Sequence, residues 1–174
     1  MTKLFLSLVV LALLIPAASA QDRVSLANGR VSFVLPPGFR AMTEAEIKFK
    51  FPRGNAPQFV YANERLSVSI AITFSPQAMT VARLPELKAA MEQALPRTIP
   101  GLTWITRELA EINGKRWVHF ELTSFAIDTD IRNEMLFTEF EGKMVGFNFN
   151  STVALYGQYK DALQKSRDSI RVSP

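Results

Sequence analysis

Residues 102–152 read LTWITRELAEINGKRWVHFELTSFAIDTDIRNEMLFTEFEGKMVGFNFNST. Apolar and polar side chains alternate through four successive segments of this stretch, and compact turn signals separate the segments. Alternation with a period of two is typical of a β-strand with one buried face. The stretch therefore predicts an antiparallel meander of four strands, whose apolar face the rest of the chain must cover.

The dipeptide Asn113-Gly114 determines how the first two strands of the meander pair. A two-residue hairpin turn needs positive φ at both central positions, and Asn-Gly tolerates that conformation best. Ile112 then lies opposite Lys115, and the pairing continues residue by residue away from the turn. The predicted pairs are Leu109 with Val118, Glu108 with His119, Thr106 with Glu121, and Trp104 with Thr123.

This register separates the hairpin into two faces. One face is apolar except for Arg107 and needs a layer that excludes water; it carries Ile105, Leu109, Val118, Phe120 and Leu122. The other face mixes charged, polar and aromatic side chains. It is the predicted surface for a ligand or partner, and its candidate residues are Trp104, Glu108, Trp117, His119 and Glu121.

The Glu108–His119 pair is the one chemical constellation that follows from the register. A carboxylate opposite an imidazole favours the charged histidine and raises its pKa, which would make a pH-responsive contact. The alternative is a plain cross-strand contact with a structural role. Both interpretations stay open at the level of sequence.

The first 20 residues predict a cleaved export signal. Lys3 precedes an apolar run, Pro16 follows the run, and small residues stand at 18–20 before Gln21. The alternative, a retained membrane anchor, is disfavoured because the apolar run is too short to cross a bilayer. We expect residues 21–174 to form one domain in the periplasm or outside the cell, with no integral membrane segment after cleavage.

Charge and cysteine content narrow the classes of partner. The chain has no cysteine, which excludes disulfides, thiol nucleophiles and an N-terminal lipid acceptor. Residues 21–65 hold seven basic and four acidic residues, whereas the remainder of the mature chain is balanced. This basic excess is interpreted either as an ordinary solvated surface or as a dock for an anionic surface or partner. An exported location disfavours nucleic acid.

The remaining segments supply short strands and covering helices. Thr43 and Glu46 form a capping box that predicts a helix of one or two turns ending at Pro52, with Phe49 and Phe51 in the core. Further strands are predicted at 24–26, 30–35, 58–63 and 66–74, and helices at 85–95 and after Thr152. The predicted fold class is α+β, with a largely antiparallel sheet covered by helices.

The chain resembles the PsbP-like group, which includes the bacterial periplasmic DcrB-like proteins. The motifs that carry the resemblance are GRVSF at 29–33, LPPGF at 35–39, the helix at 85–95, INGK at 112–115 and SIRV at 169–172. This resemblance implies the α/β/α sandwich that the group shares with a eukaryotic Ran-binding nuclear import factor. It also implies a non-enzymatic binding or accessory domain.

A search for reactive motifs finds no signature of catalysis. One histidine and no cysteine make a zinc site improbable, and no phosphate loop, dinucleotide turn or serine elbow is present. Asp128, Asp130, Asn133 and Glu134 are oxygen-rich, but they lack the spacing of a calcium loop and favour a turn between strands. We therefore expect no cofactor and no metal.

Two classes of function remain. The favoured hypothesis is an exported, non-enzymatic binding or accessory protein of the bacterial envelope that recognises a protein partner. The partner could be an envelope protein, or a toxin that the chain neutralises as an immunity protein. The alternative is a carrier or enzyme for a small apolar molecule, with a pocket lined by Trp104 and Trp117 beneath a helix.

Overall fold

The computed structural model describes residues 22–52, 54, 56–126 and 128–173. The predicted signal peptide, residues 1–20, lies outside the described residues. The strands are β1 (Arg23–Leu26), β2 (Val31–Val34), β3 (Phe39–Ala41), β4 (Phe59–Asn63), β5 (Val68–Ala78), β6 (Thr103–Ile112), β7 (Lys115–Phe125), β8 (Asp130–Phe140), β9 (Lys143–Thr152) and β10 (Arg171–Val172). The helices are α1 (Glu44–Lys50), α2 (Leu84–Thr98) and α3 (Val153–Asp168), with a 3₁₀ turn at Val81–Arg83.

Seven strands form the large antiparallel sheet, in the order β3-β4-β5-β9-β8-β7-β6. The predicted meander is confirmed, because β6 to β9 lie side by side in chain order. The turn between β8 and β9, whose register the sequence leaves open, closes with Phe140 opposite Lys143. The long hydrophobic strand β5 lies against β9, so the meander is extended by the earlier part of the chain.

A β-bulge in β6 corrects one part of the predicted register. The pairs from the turn as far as Thr106 are as predicted, but Trp104 lies opposite Leu122 instead of Thr123. The extra residue of a bulge is left unpaired and re-aims the residues beyond it. Here Ile105 is the extra residue and is 45% exposed, so the prediction that it lies in the apolar layer is also wrong.

A second, smaller sheet has the order β1-β2-β10. The hairpin predicted between residues 24 and 35 is confirmed as β1 and β2. β10 follows α3 and pairs with β2, placing Arg171 opposite Ser32. Neither β10 nor β3 was predicted, because strands of two and three residues are too short to show an alternating pattern.

Helix α1 begins and ends as predicted but buries a different side chain. The Thr43 side chain accepts a hydrogen bond from the Glu46 backbone, and the Glu46 carboxylate caps the Thr43 backbone in return. Ile47 and Phe51 pack on a cluster beneath the helix. The prediction that Phe49 lies in the core is wrong, because it is 86% exposed. Two residues turn an α-helix by about 200°, which points Phe49 away from the sheet.

Helix α2 packs against β6 and β7 through the predicted stripe of Leu84, Leu87, Met91 and Leu95. It continues past Pro96 to Thr98, three residues beyond its predicted end. Pro96 cannot donate to the carbonyl of Glu92, four residues earlier, so the helix loses one backbone hydrogen bond near its end. The Thr98 hydroxyl donates to the carbonyls of Ala94 and Leu95, which closes the last turn.

Helix α3 confirms the predicted C-terminal helix. The Thr152 hydroxyl accepts a hydrogen bond from the Leu155 N–H at 3.2 Å and begins the helix. Leu163 is buried, and Tyr159 packs against the main core. Ile170, predicted to share the helical stripe, lies just beyond the helix end and is buried as well. None of the helices in the described ranges has the length and hydrophobicity needed to cross a membrane.

Helices cover both faces of the large sheet. Helices α1 and α2 pack on one face over two separate clusters, which contain Met42 and Leu84 respectively. Helix α3 and the small sheet pack on the other face over the main core. Large side chains that are fully buried in that core include Trp117, Phe33, Phe147, Ile70, Ile72 and Leu136. The predicted α+β class, a largely antiparallel sheet between helices, is confirmed.

Candidate functional site

His119, on β7, lies between two carboxylates from the neighbouring strands. Its Nδ1 is 3.1 Å from Oε1 of Glu108 on β6, and its Nε2 is 3.0 Å from Oε1 of Glu134 on β8. The Glu108 contact follows the predicted register. An ionised carboxylate only accepts hydrogen bonds, so both ring nitrogens donate when both contacts form. The geometry therefore selects the charged imidazolium.

Helix α3 adds a second cation at the same carboxylate. Arg167, in the last turn of the helix, donates from Nη1 to Oε1 of Glu134 at 2.8 Å and from Nε to Oδ1 of Asp168 at 2.7 Å. The Glu134 side chain is only 7% exposed. A buried carboxylate is tolerated when charged donors surround it. These five residues, Glu108, His119, Glu134, Arg167 and Asp168, form the His119 cluster.

The tight turn between β6 and β7 holds the end of α3 beside the cluster. Asn113 and Gly114 both have positive φ, as the turn requires. The Asn113 side-chain amide donates to the carbonyl of Asp168 at 2.8 Å and to the carbonyl of Ile170 at 2.7 Å. One asparagine therefore makes the hairpin turn and also caps free carbonyls at the helix end.

Burial and hydrogen bonding oppose each other in setting the charges of the cluster. Burial lowers the pKa of His119, but its hydrogen bonds to Glu134 and Glu108 outweigh burial and raise that pKa above its ordinary value. Burial raises the pKa of Glu134, but its hydrogen bonds to His119 and Arg167 and their positive charges outweigh burial. The pKa of Glu134 is therefore below its ordinary value. Both groups are therefore held in their charged forms.

These two shifts predict a window of maximum stability between about pH 4.5 and 6.5, the ordinary pKa values of the two groups. The raised pKa of His119 contributes stability that is lost as pH rises through its folded value. The lowered pKa of Glu134 contributes stability that is lost as pH falls through its own folded value. The free energy of unfolding in urea, measured inside the window and at mildly alkaline pH, should be lower at the alkaline pH.

The chain has a single histidine, so NMR can follow its imidazole without overlap. We expect its midpoint to lie above the ordinary pKa of histidine. A His119→Gln variant is the control, because it removes the titrating ring and should flatten the alkaline loss of stability. A wild-type midpoint at or below the ordinary value would contradict the assignment.

A shallow depression opens beside His119. It is lined by Glu108, Ala110, Glu111, Ile112, His119, Arg167 and Asp168, and it measures about 190 Å³. Pockets for drug-sized ligands measure roughly 300–1,000 Å³. The side chains of Glu108 and Asp168 at its border are 56% and 61% exposed. The depression therefore offers carboxylate oxygens to one cationic side chain or a similarly small cation.

The two tryptophans among the predicted binding residues do not border this depression. The bulge places Trp104 on the α2 face, with its ring 5.2 Å from that of Phe120. Trp117 projects to the opposite face, is 1% exposed and packs edge-on against Phe147 at 6.0 Å. A single pocket lined by both tryptophans is therefore excluded, and that prediction is wrong.

Glu121 lies in a separate polar contact farther along β7. Its Oε1 accepts from Nε and Nη2 of Arg132 at 2.7 and 2.6 Å. The Arg132 guanidinium also lies 3.8 Å from the centre of the Tyr156 ring on α3. Of the five predicted binding residues, Glu108 and His119 are the two that line the depression. The binding role of these residues stays a prediction.

The segment around Asp128 forms a turn between β7 and β8. The Ala126 N–H donates to the Thr129 carbonyl at 2.8 Å. Glu134 is engaged by His119 and Arg167 and does not turn toward this loop. Within the part of the chain that the structure describes, no group of three or more His, Cys, Asp or Glu side chains could hold a metal ion.

Sequence reasoning missed Glu134, Arg167 and Asp168. Glu134 could have been found by pairing β7 with β8, since Glu134 lies opposite Glu121 and beside His119 on the same face. That pairing depends on the length of the turn near Asp128, which carries no two-residue hairpin motif. Nothing in the sequence indicates that the end of α3 reaches the hairpin.

The chain is similar to known proteins in its three-dimensional structure. No family model matches the chain, and no curated protein sequence matches it. The solution structure of the cyanobacterial PsbP protein CyanoP from Synechocystis is similar with a TM-score of 0.63 and 14% identity, over 90% of this chain and 95% of that one. The chain has a PsbP-like fold.

Two other solved structures resemble this PsbP-like chain. LpqN, involved in cell envelope biogenesis of Mycobacterium tuberculosis, has a TM-score of 0.56 and 10% identity over 91% of this chain and 88% of LpqN. A Pseudomonas aeruginosa protein of unknown function, described as a putative regulator, has a TM-score of 0.53 and 12% identity, with coverages of 88% and 98%. These structural similarities establish the PsbP-like fold, as the sequence resemblance predicts. At identities this low they do not establish a shared activity.

Proposed function

We propose that this chain is an exported, non-enzymatic binding or accessory protein of the bacterial envelope, and that it recognises a protein partner. The observation that supports the proposal most is the PsbP-like fold shared with LpqN, whose description places it in cell envelope biogenesis. The export pattern of residues 1–20 is a second, independent support. Fold alone does not determine function, so the partner surface must be argued from the site.

The depression of the His119 cluster is the proposed contact surface. Glu108, Glu111 and Asp168 contribute acidic groups around the open side, and the positive charge of Arg167 is already taken by Glu134 and Asp168. The partner accordingly presents a lysine or arginine to these carboxylates. The residues behind the contact surface are held in place, because the buried Glu134 on β8 hydrogen-bonds to His119 on β7 and to Arg167 at the end of α3.

Protonation of His119 tunes this contact. A charged His119 neutralises Glu108, the carboxylate that a partner's cation would meet. As pH rises through the folded pKa of His119, Glu108 loses that internal counter-charge and attracts a cation more strongly. Binding of a basic partner therefore strengthens toward neutral and mildly alkaline pH.

Capture from the bacterial envelope tests the proposal. The tagged, exported protein is crosslinked in intact cells and recovered, and its partners are identified by mass spectrometry. We expect one protein to be recovered reproducibly by the wild type. The Glu108→Lys variant should lose it at least tenfold, because reversal replaces attraction by repulsion at a partly desolvated contact.

Glu64→Lys is the matched control, since Glu64 is exposed and lies outside the depression. This variant makes the same change of charge as Glu108→Lys, but it should still recover the partner. Failure of the wild type to recover any reproducible protein would overturn the proposed function. Equal capture by the Glu108→Lys variant would instead show that the partner binds a different surface.

A further inference from the structure

Helix α1 presents an exposed apolar face to solvent. Its inner face, through Ile47 and the following Phe51, packs on the sheet. On its outer face Ala45 and Phe49 are exposed, and Phe49 reaches 86% exposure. Helical geometry places Ala45 and Phe49 on one side of α1, because they are four positions apart. Phe49 is therefore a phenyl ring held outward by a capped helix.

The other strongly exposed phenylalanines rest on neighbours within the fold. Phe125 is 64% exposed but its ring lies against Gly101, where a side chain would collide with it. Phe59 is 39% exposed and packs edge-on against Phe74 at 6.2 Å. Phe49 takes part in no aromatic pair among the described residues. Phe49 also belongs to none of the three hydrophobic clusters of the described residues.

Two lysines, Lys48 and Lys50, flank Phe49 in the last turn of α1. Lys48 is exposed on one side of Phe49, and on the other side the Lys50 ammonium donates to the Leu66 carbonyl at 2.8 Å. That bond brings the end of α1 beside the exposed Arg65. Residues 40–66 contain five basic and three acidic residues, and this region belongs to the basic third of the mature chain.

The acidic group nearest in sequence to Phe49 is already neutralised. Glu46 accepts from Arg40 Nη2 at 2.7 Å and Nη1 at 2.9 Å, and from the Thr43 N–H at 2.8 Å. The hydrogen bond from Arg40, followed by that from the Thr43 backbone, lowers the pKa of Glu46 to about 2. Its charge is therefore paired with the Arg40 guanidinium, which reduces the repulsion of an approaching anion.

We propose that the outer face of α1 docks on an anionic phospholipid surface. The Phe49 ring enters the boundary between headgroups and acyl chains, while the exposed Lys48 and Arg65 lie over the phosphates. The helix has seven residues, which span about 10 Å. A standard protein interface buries about 800 Å² on each partner, far more than this face offers, whereas one aromatic ring with flanking cations suits a lipid surface.

Vesicle binding tests the proposal with the protein purified from the exported fraction. Wild-type protein should co-sediment with vesicles containing phosphatidylglycerol and not with phosphatidylcholine alone, and added salt should weaken binding. Phe49→Ala should lower the partition constant at least about tenfold, and Lys48→Ala about fivefold. Phe125→Ala is the matched control and should bind like the wild type, because Phe125 lies outside α1.

A fluorescent variant separates lipid contact from misfolding. Phe49→Trp adds an exposed indole to a position where no packing is lost, and its emission should shift to shorter wavelength with anionic vesicles. No shift, or equal binding by Phe49→Ala and wild type, would overturn the proposal. It would also be overturned if Phe49→Ala abolished capture of an envelope protein while wild type ignored vesicles. Glu108→Lys should leave vesicle binding intact, so this test is independent of the proposed partner surface.

Discussion

Replacing Trp117 with alanine lowers the free energy of unfolding by about 3–5 kcal/mol. Trp117 is 1% exposed, belongs to the main core and packs edge-on against Phe147. Removing the indole leaves a cavity between the large sheet and α3 that the surrounding strands cannot fill. Urea unfolding at a fixed pH measures the loss, which is a large fraction of the stability of a domain of this size.

Two matched variants define what the tryptophan contributes. Its indole Nε1 is buried and has no hydrogen-bond partner among the described residues. Trp117→Phe should therefore lose less than about 1.5 kcal/mol, since much of the volume is kept and an unsatisfied donor is removed. Trp104→Ala, at a partly exposed site on the other face, should lose roughly half as much as Trp117→Ala. A stable Trp117→Ala protein that fails only in partner binding would instead support the predicted binding role of Trp117.

Replacing Glu134 with alanine costs about 3 kcal/mol of stability. The Glu134 side chain is 7% exposed and accepts hydrogen bonds from both His119 and Arg167. Its removal leaves two partly buried cations facing each other without the anion that separates them. The midpoint of the His119 titration should fall at the same time, because Glu134 is its stronger partner.

Glu108→Ala is the matched comparison for Glu134→Ala, because both variants remove a carboxylate that lies at nearly the same distance from the His119 ring. His119 lies 3.1 Å from Glu108 and 3.0 Å from Glu134, yet the Glu108 side chain is 56% exposed. Water replaces an exposed carboxylate at little cost, so Glu108→Ala should lose less than about 1 kcal/mol. Similar losses in the two variants would show that burial does not control the strength of this cluster.

The sequence predicted the local geometry of the sheet well, because one dipeptide determines it. Asn113-Gly114 admits a single tight turn, and every pair from the turn to Thr106 follows by counting. The count fails at Ile105, where the chain inserts one extra residue. A bulge leaves the alternating pattern nearly unchanged, so the new orientation of Trp104 could be seen only in three dimensions.

The candidate site was half predicted, for a similar reason. Glu108 and His119 meet through local pairing, whereas Arg167 reaches them from a helix that begins more than 30 residues later in the chain. Such a contact depends on where α3 crosses the sheet and where it ends. Phe49 was assigned to the core because large apolar residues are usually buried, and a seven-residue helix shows too little periodicity to reveal its outer face.

The placement of β5 between β4 and β9 sets the order in which the domain can assemble. Val68 pairs with Ser151, so one side of this strand has no partner until nearly the whole chain has emerged. Until then, the five consecutive buried residues 68–72 leave the backbone groups on the β9 side of the strand without strand partners. Until β9 is available, this edge of β5 can therefore pair with strands of other molecules.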